Sequence, residues 1–485
     1  MTVSDCLLSE VADVSEYTDL SPQDKELGSK KPISTLFSLA FGPFISSLVS
    51  SAYGFVETYY FTKAFGDSSL AVLGAVFPMV IVTSLFPPYL TAGYGVQTGY
   101  LFGQNRAKDV AQLYVDHLRI AIIVSILFAI IVFFFTEPLC IMLGASPELA
   151  KKGKEYLGPY GYGSVFSLVM SITCTLYLTT GRSTIYGAAQ LGSAILNQGL
   201  IAPILLFVIK TPIWGSQLST TLTSAIFAIW LTVPVFYKET EYRPSFSMFL
   251  KPFMPETKKA FIIGIPSLFD VLARSCTPML VQSFLVSAAR RKGNYNEVFM
   301  IWGVNNKIQF AVMLFTCTFT GSYIPSASYA DGAKKNMRLL RLTFHAIWLS
   351  CGFTSILAIL FIVFVRKVAS IWSSDAKFLD TAAEILPIFH YTIPLQGFQT
   401  IAQTMVMVLQ LPVRASVMSV FSYGIPIMVF STMMYKIKNN DPAFIAYAYN
   451  ITDIWSSIFS ILCMLQPLSE RLKGEKLSKM FTNEI

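Results

Sequence analysis

Five charged side chains stand where charge should be excluded: Glu57, Asp270, Arg274, Lys307 and Asp453. Each lies inside an otherwise uncharged, mostly apolar run of at least 17 residues. A carboxyl group held away from water can carry a proton, and losing that proton changes the cost of exposing a cavity. Glu57 is the leading candidate for this chemistry. The competing reading puts it near the outer end of its helix, reaching headgroups or water. Asp270 and Arg274 are four residues apart and share one face of a helix. They either neutralise each other or form a charged cavity wall, with Asp270 receiving a cation when a proton leaves. Lys307 lies in Trp302-Gly303-Val304-Asn305-Asn306-Lys307-Ile308-Gln309, and either snorkels or meets substrate. Asp453 shares a polar face with Asn450, Thr452 and Ser456, a set that can be satisfied internally.

Two histidines add groups that change charge near neutral pH in water. His345 reads as a packed helix residue. His390 has Tyr391, Gln396, Gln399 and Gln403 for company, and the glutamines recur at three and four residues. Such a stripe should face the bundle interior or a cavity, because facing lipid is costly. It is either a binding surface or a set of interhelical hydrogen bonds. No carboxylate stands at a zinc-ligand spacing from either histidine. Seven cysteines are scattered without a CxxC pair, so neither a metal site nor a disulfide framework is expected. No Ser/His, His/Glu or phosphate-loop motif is present, which argues against an intramembrane enzyme and against ATP hydrolysis.

The elements that position these residues follow from where charge is missing. Of 485 residues, 54% are hydrophobic and only 13% charged, against about 25% charged in soluble domains; mean hydropathy is +0.57. A soluble globular domain, a disordered chain and a secreted disulfide scaffold are excluded. Cutting at charged residues leaves twelve long stretches: 32–62, 68–105, 120–136, 156–181, 183–209, 211–237, 260–289, 298–330, 342–365, 385–413, 415–435 and 442–469. Each meets the roughly 17–25 residues a spanning helix needs. A backbone in lipid must satisfy its own hydrogen bonds, so each stretch predicts an α-helix.

An even number of crossings puts both ends on one side. That side would carry about 20 Lys and Arg against 13 on the other, so the positive-inside rule places both termini in the cytoplasm. Residues 1–29 form an acidic tail expected to lack structure, 30–237 a first lobe, 238–259 a cytoplasmic linker, 260–467 a second lobe, and 468–485 a basic tail. The basic loops fit membrane topology better than nucleic-acid binding. The halves also resemble each other. Gly42-Pro43 matches Gly264-Ile265-Pro266, the loop from Gly103 to Lys108 matches Ala330 to Lys335, and Glu155-Tyr156-Leu157 matches Glu384-Ile385-Leu386, at offsets near 223–229. Two related six-helix bundles suit a transporter whose central cavity opens alternately to either side. A channel is a weaker expectation, since rings of like charge are absent.

These motifs together resemble the multidrug and toxic compound extrusion (MATE) family over roughly residues 30–467. Leu70-Ala71-Val72-Leu73-Gly74, Gly103-Gln104, Leu143-Gly144-Ala145-Ser146-Pro147 before Tyr156-Leu157, Asn197 before Pro203, Gly215 to Thr220, and Gly264-Ile265-Pro266 carry the resemblance. It implies an all-α membrane protein of twelve transmembrane helices in two pseudo-symmetric six-helix lobes. It also implies secondary active efflux of an organic, cationic or amphipathic solute in exchange for H⁺ or, less well supported, Na⁺. A flippase-like or uncoupled relative is the nearest alternative. The family's coupling acid should fall on Thr58, one residue or about 100° of helix from Glu57. Its usual acids in the fifth and seventh helices fall on Ile201 and Arg274. Glu57 is therefore the expected proton-coupling residue, with Asn197, Thr220, Asp270, Lys307, His390 and Gln399 as cavity or substrate residues. The expected partners are a small organic solute and the lipid bilayer. The expected state is a monomer with no cofactor, in the plasma membrane or an organelle membrane.

Overall fold

A computed structural model describes residues 24–66, 69–142, 145–238 and 240–482. Within them every regular element is helical, as an apolar chain of this kind requires. The first half comprises α1 (Pro32–Phe65), α2 (Leu70–Ser84), α3 (Phe86–Gly103), α4 (Ala107–Met142), α5 (Pro147–Thr179), α6 (Ser183–Leu196) and α7 (Trp214–Tyr237). The second comprises α8 (Pro255–Lys292), α9 (Tyr295–Gly332), α10 (Asn336–Val363), the short α11 (Val365–Ala369), α12 (Ala376–His390), α13 (Ile393–Val408), α14 (Pro412–Met418), α15 (Ile425–Ile437) and α16 (Pro442–Thr482). Eleven continuous crossings are long and apolar enough to span a membrane. α12 and α13 supply the twelfth.

That twelfth crossing corrects the expected stretch 385–413. The helix begins at Ala376, where the Asp375 side chain accepts a hydrogen bond from Lys377 N, and it breaks at Tyr391-Thr392. Pro394 accounts for the break: it has no N–H to give and its ring clashes with the carbonyl four residues back. Most helices also outrun their apolar stretches. α4 covers 107–142 because a charged turn at a membrane surface ends an apolar run without ending the helix.

The twofold repeat is written into the backbone. Positive φ angles recur at Gly66 and Gly293, at Asn105 and Lys334, and at Gly181 and Gln410. These offsets of 227, 229 and 229 match those of the sequence motifs. A π-helical segment also interrupts the fifth crossing at Asn197–Ile201 and the eleventh at Ser419–Gly424.

Asp24 meets Tyr329 and Arg471 meets Asp331, so both described ends of the chain lie on one side, the terminal side, and there the lobes interlock. α3 packs across α8 and α9 of the other lobe, whereas α2 packs mainly on α5 of its own. The interlock is a backbone-to-backbone approach. A Cβ added at Gly93 would meet the Ala260 carbonyl, one at Gly264 the Tyr89 carbonyl, one at Gly103 the Tyr329 carbonyl and one at Gly332 the Tyr100 carbonyl. Glycine alone permits such closeness, as it does between membrane helices generally. Arg106 adds an ion pair to Glu256 at 2.8 Å.

The linker is docked rather than loose. Asp116, fully buried in α4, accepts hydrogen bonds from Met254 N at 3.0 Å and Thr257 Oγ1 at 2.7 Å. Arg119 donates to the Lys251 carbonyl at 2.7 Å. The acidic tail is corrected in part. Asp24–Ser29 forms a π-helical turn with Leu27 fully buried. Arg338 donates to the Leu27 carbonyl at 2.8 Å and the Lys30 carbonyl at 2.7 Å. Tyr329 hydrogen-bonds Asp24. Leu27 gives this turn an apolar anchor that the acids around it concealed. Residues 1–23 of that tail lie outside the described residues, as do Leu143 and Gly144 of the turn before α5. The basic tail continues α16 as helix to Thr482.

Candidate functional site

The first lobe gathers four of its elements around Glu57. The i, i+4 spacing along α1 puts Tyr53 and Glu57 on one face, and Tyr60 lines the same small cavity. Glu57 Oε1 accepts from Tyr156 Oη of α5 at 3.4 Å and from Gln217 Nε2 of α7 at 3.3 Å. Gln217 Nε2 also lies 2.6 Å from Tyr156 Oη, closing a triangle of carboxylate, phenol and amide. Thr58, where the family resemblance put an acid, is exposed and hydrogen-bonds the Gly54 carbonyl at 2.8 Å. The acid one residue away is therefore the one that faces the lobe interior.

Asn197 and Thr220 join the same cluster. Asn197 heads the π-helical segment Asn197–Ile201. Pro203 just beyond offers no N–H, and the fifth crossing is π-helical on both sides of it. Asn197 Nδ2 donates to Tyr53 Oη, and to Thr220 Oγ1 at 3.3 Å. Tyr53 Oη and Thr220 Oγ1 are 2.8 Å apart. Tyr60 Oη donates to the Gln198 carbonyl at 3.1 Å. Asn197 Oδ1 and Gln198 Oε1 are buried without a hydrogen-bond partner among the described residues. The cluster thus holds one ionisable acid, several hydroxyls and spare acceptors. Tyr156 and Gln217, the direct partners of Glu57, were not singled out as site residues. They stand 99 and 160 residues from it, so local spacing carried no signal for them.

The second lobe has a separate polar cluster at the α12–α13 break. Asp453 in α16 is fully buried. Thr392 Oγ1 lies 2.7 Å from Asp453 Oδ2 and 2.9 Å from Asn450 Oδ1, with one proton to share between them. Gln396 Nε2 donates to Asp453 Oδ2 at 3.2 Å. Gln399 Nε2 donates to the Asp453 carbonyl at 2.8 Å and lies 3.1 Å from Ser457 Oγ. Gln403 reaches Ser419 Oγ at 2.8 Å. The glutamine stripe is therefore a set of interhelical hydrogen bonds. His390 is buried with Nδ1 2.5 Å from the Leu386 carbonyl of its own helix, and its ring lies 5.7 Å from Phe361. His345 accepts a hydrogen bond from Trp348 Nε1 at 2.9 Å. Asp453→Ala removes the acceptor that holds Gln396 and one of the two that share the Thr392 proton. Leaving such donors unsatisfied costs about 1–3 kcal/mol, so the thermal midpoint of the purified protein should fall; an unchanged midpoint would show the cluster to be dispensable.

Asp270 and Arg274 form the expected pair, 3.0 Å apart in α8. Lys307 Nζ in α9 lies 4.0 Å from the centre of the Phe55 ring in α1, an approach between the two lobes. Among the described residues no group of three or more His, Cys, Asp or Glu side chains could hold a metal ion.

The family model MatE matches residues 43–201 and 302–431, more than half of the chain. The multidrug export protein MepA of Staphylococcus haemolyticus (strain JCSC1435) is 21% identical over 357 residues, covering 73% of this chain and 76% of that protein. A crystal structure of MATE in complex with MaL6 superposes with a TM-score of 0.83 at 16% identity, covering 94% of this chain and all of the other. An outward-facing multidrug resistance MATE family transporter superposes at 0.81 and 17% identity, over 93% of this chain and 99% of the other. At these identities the solved structures speak for the fold.

Proposed function

The chain belongs to the MatE family of multi-pass membrane transporters, and we propose that it is a secondary active antiporter exporting an organic, amphipathic solute in exchange for H⁺. The observation that carries the proposal is Glu57 inside the first lobe, held by Tyr156 and Gln217. A carboxylate in that position gains or loses a proton with a large change in its surroundings, and such a change biases one conformation over another. Its direct partners, Tyr156 and Gln217, are hydrogen-bond donors, which suits a group that exchanges protons. H⁺ is favoured over Na⁺ because no second acid reaches Glu57 among the described residues. The sealed terminal side and the divergence of α2 from the second lobe support alternating access by rocking of the lobes. With the termini in the cytoplasm, as the 20 to 13 distribution of basic residues favours, the sealed side is the cytoplasmic one, and the cleft that rocking requires between the lobes opens away from it. A working monomer follows from each chain carrying both lobes.

The deciding measurement is solute flux in proteoliposomes under separately imposed H⁺ and Na⁺ gradients. A proton gradient should drive uphill solute movement and a Na⁺ gradient should not. Movement indifferent to both gradients would point to the uncoupled or flippase-like alternative and end the antiport reading.

A further inference from the structure

We propose that the cleft accepts an organic anion, and that Lys307 is the residue that recognises its charged group. This rests on the reading of the space between the lobes as the solute path, and goes beyond it by fixing the sign of the solute.

Lys307 is twelve residues into α9, which begins at Tyr295, or about 18 Å along the axis at 1.5 Å per residue. It is solvent-accessible and projects toward the first lobe, with its ammonium on the face of Phe55. Among the described residues no carboxylate lies within ion-pair distance of it. A lysine that snorkelled would extend toward the membrane surface; this one is directed across the gap between lobes. The gap is open beside it. Gly303, one turn back on the same face of α9, and Gly54, next to Phe55, would each carry a Cβ that meets no atom within 4 Å. The pair is thus an accessible cation stacked on an accessible aromatic ring, with open space beside both.

The other embedded charges are paired or buried, and Asp453 lies fully buried, held by Thr392 and Gln396. Asp270 and Arg274 cancel within one helix. Glu57 lies within the first lobe behind Tyr156 and Gln217. A cationic solute approaching Lys307 would meet an ammonium without a carboxylate partner, whereas a carboxylate or phosphate would replace the weak ring contact with an ion pair. Low-dielectric walls strengthen both effects. Phe55 would then cover the flat apolar part of the same molecule. The family resemblance alone implies a cation; the residues lining this cleft point to an anion with an aromatic body.

Equilibrium binding to the purified full-length chain tests this without any gradient. The probes are carboxyfluorescein, an aromatic anion, and ethidium, an aromatic cation, read by fluorescence anisotropy. Carboxyfluorescein should bind the unmodified protein more tightly than ethidium does. Lys307→Gln should weaken it at least tenfold, Lys307→Arg should restore most of the affinity, and Lys307→Glu should reverse the preference. The recovery in Lys307→Arg and the gain of ethidium binding in Lys307→Glu separate lost recognition from lost folding. Ethidium bound more tightly by the unmodified protein, absence of carboxyfluorescein binding, or equal carboxyfluorescein binding in Lys307→Gln would each overturn the proposal. Carboxyfluorescein bound as expected but not moved across proteoliposome membranes would leave the recognition intact and count against the exporter reading instead.

Discussion

Glu57→Gln should abolish proton-driven solute movement while leaving the protein folded and able to bind solute. The substitution keeps the side chain's length, shape and one acceptor oxygen, so Tyr156 and Gln217 can retain their contacts. What it removes is the second protonation state. A proton gradient does work through a transporter only if the proton binds one conformation better than another, and a ligand without differential affinity shifts nothing. The variant should therefore equilibrate solute without concentrating it. The measurement is the ratio of inside to outside solute in proteoliposomes under an imposed pH difference. Accumulation at the unmodified level in Glu57→Gln would remove this residue from coupling. Tyr156→Phe, which removes one hydrogen bond and leaves the acid, should slow transport yet preserve accumulation.

Gly103→Val should have an effect of similar size by a different route. A Cβ there would overlap the Tyr329 carbonyl, so α3 and α9 must separate or distort. Forcing atoms into a close-packed contact costs about 1–3 kcal/mol, which corresponds to a shift of roughly 5- to 150-fold in a conformational equilibrium. The destabilised state is the one sealed on the terminal side. Labelling of a cysteine placed at Ser328, fully buried beside Gly99, should accelerate from the terminal side in the Gly103→Val background. An unchanged labelling rate would mean that the seal does not depend on this approach.

The sequence showed the crossings more clearly than the site. Lipid forbids unpaired charge and unpaired backbone, so the absence of charged residues alone marked the spans, and the repeat followed from motif offsets. The crossing at α12 and α13 was misplaced because Lys377, Asp380 and Glu384 end the apolar run while the helix passes through them. Asp270 and Arg274 were legible because both lie on one helix. Glu57 was picked out as a charge where none should be, yet its orientation was not: counting from Pro43 led to Thr58, and only the packed lobe shows which of the two faces inward. Tyr156 and Gln217 around Glu57, and Phe55 opposite Lys307, are brought there by packing between distant helices. No periodicity in one helix reports the contents of another.

The turn at Asp24–Ser29 bears on how the protein is made. Its residues are synthesised well before Arg338, which holds the Lys30 carbonyl and follows 308 positions later. At roughly 5–20 residues per second, the ribosome needs about 15–60 s to supply that partner. Leu27 must wait through that interval without its final burial site. Seating the turn therefore has to wait until the eight crossings before α10 have been made. A chain halted before α10 would leave the turn around Leu27 without the arginine that holds it.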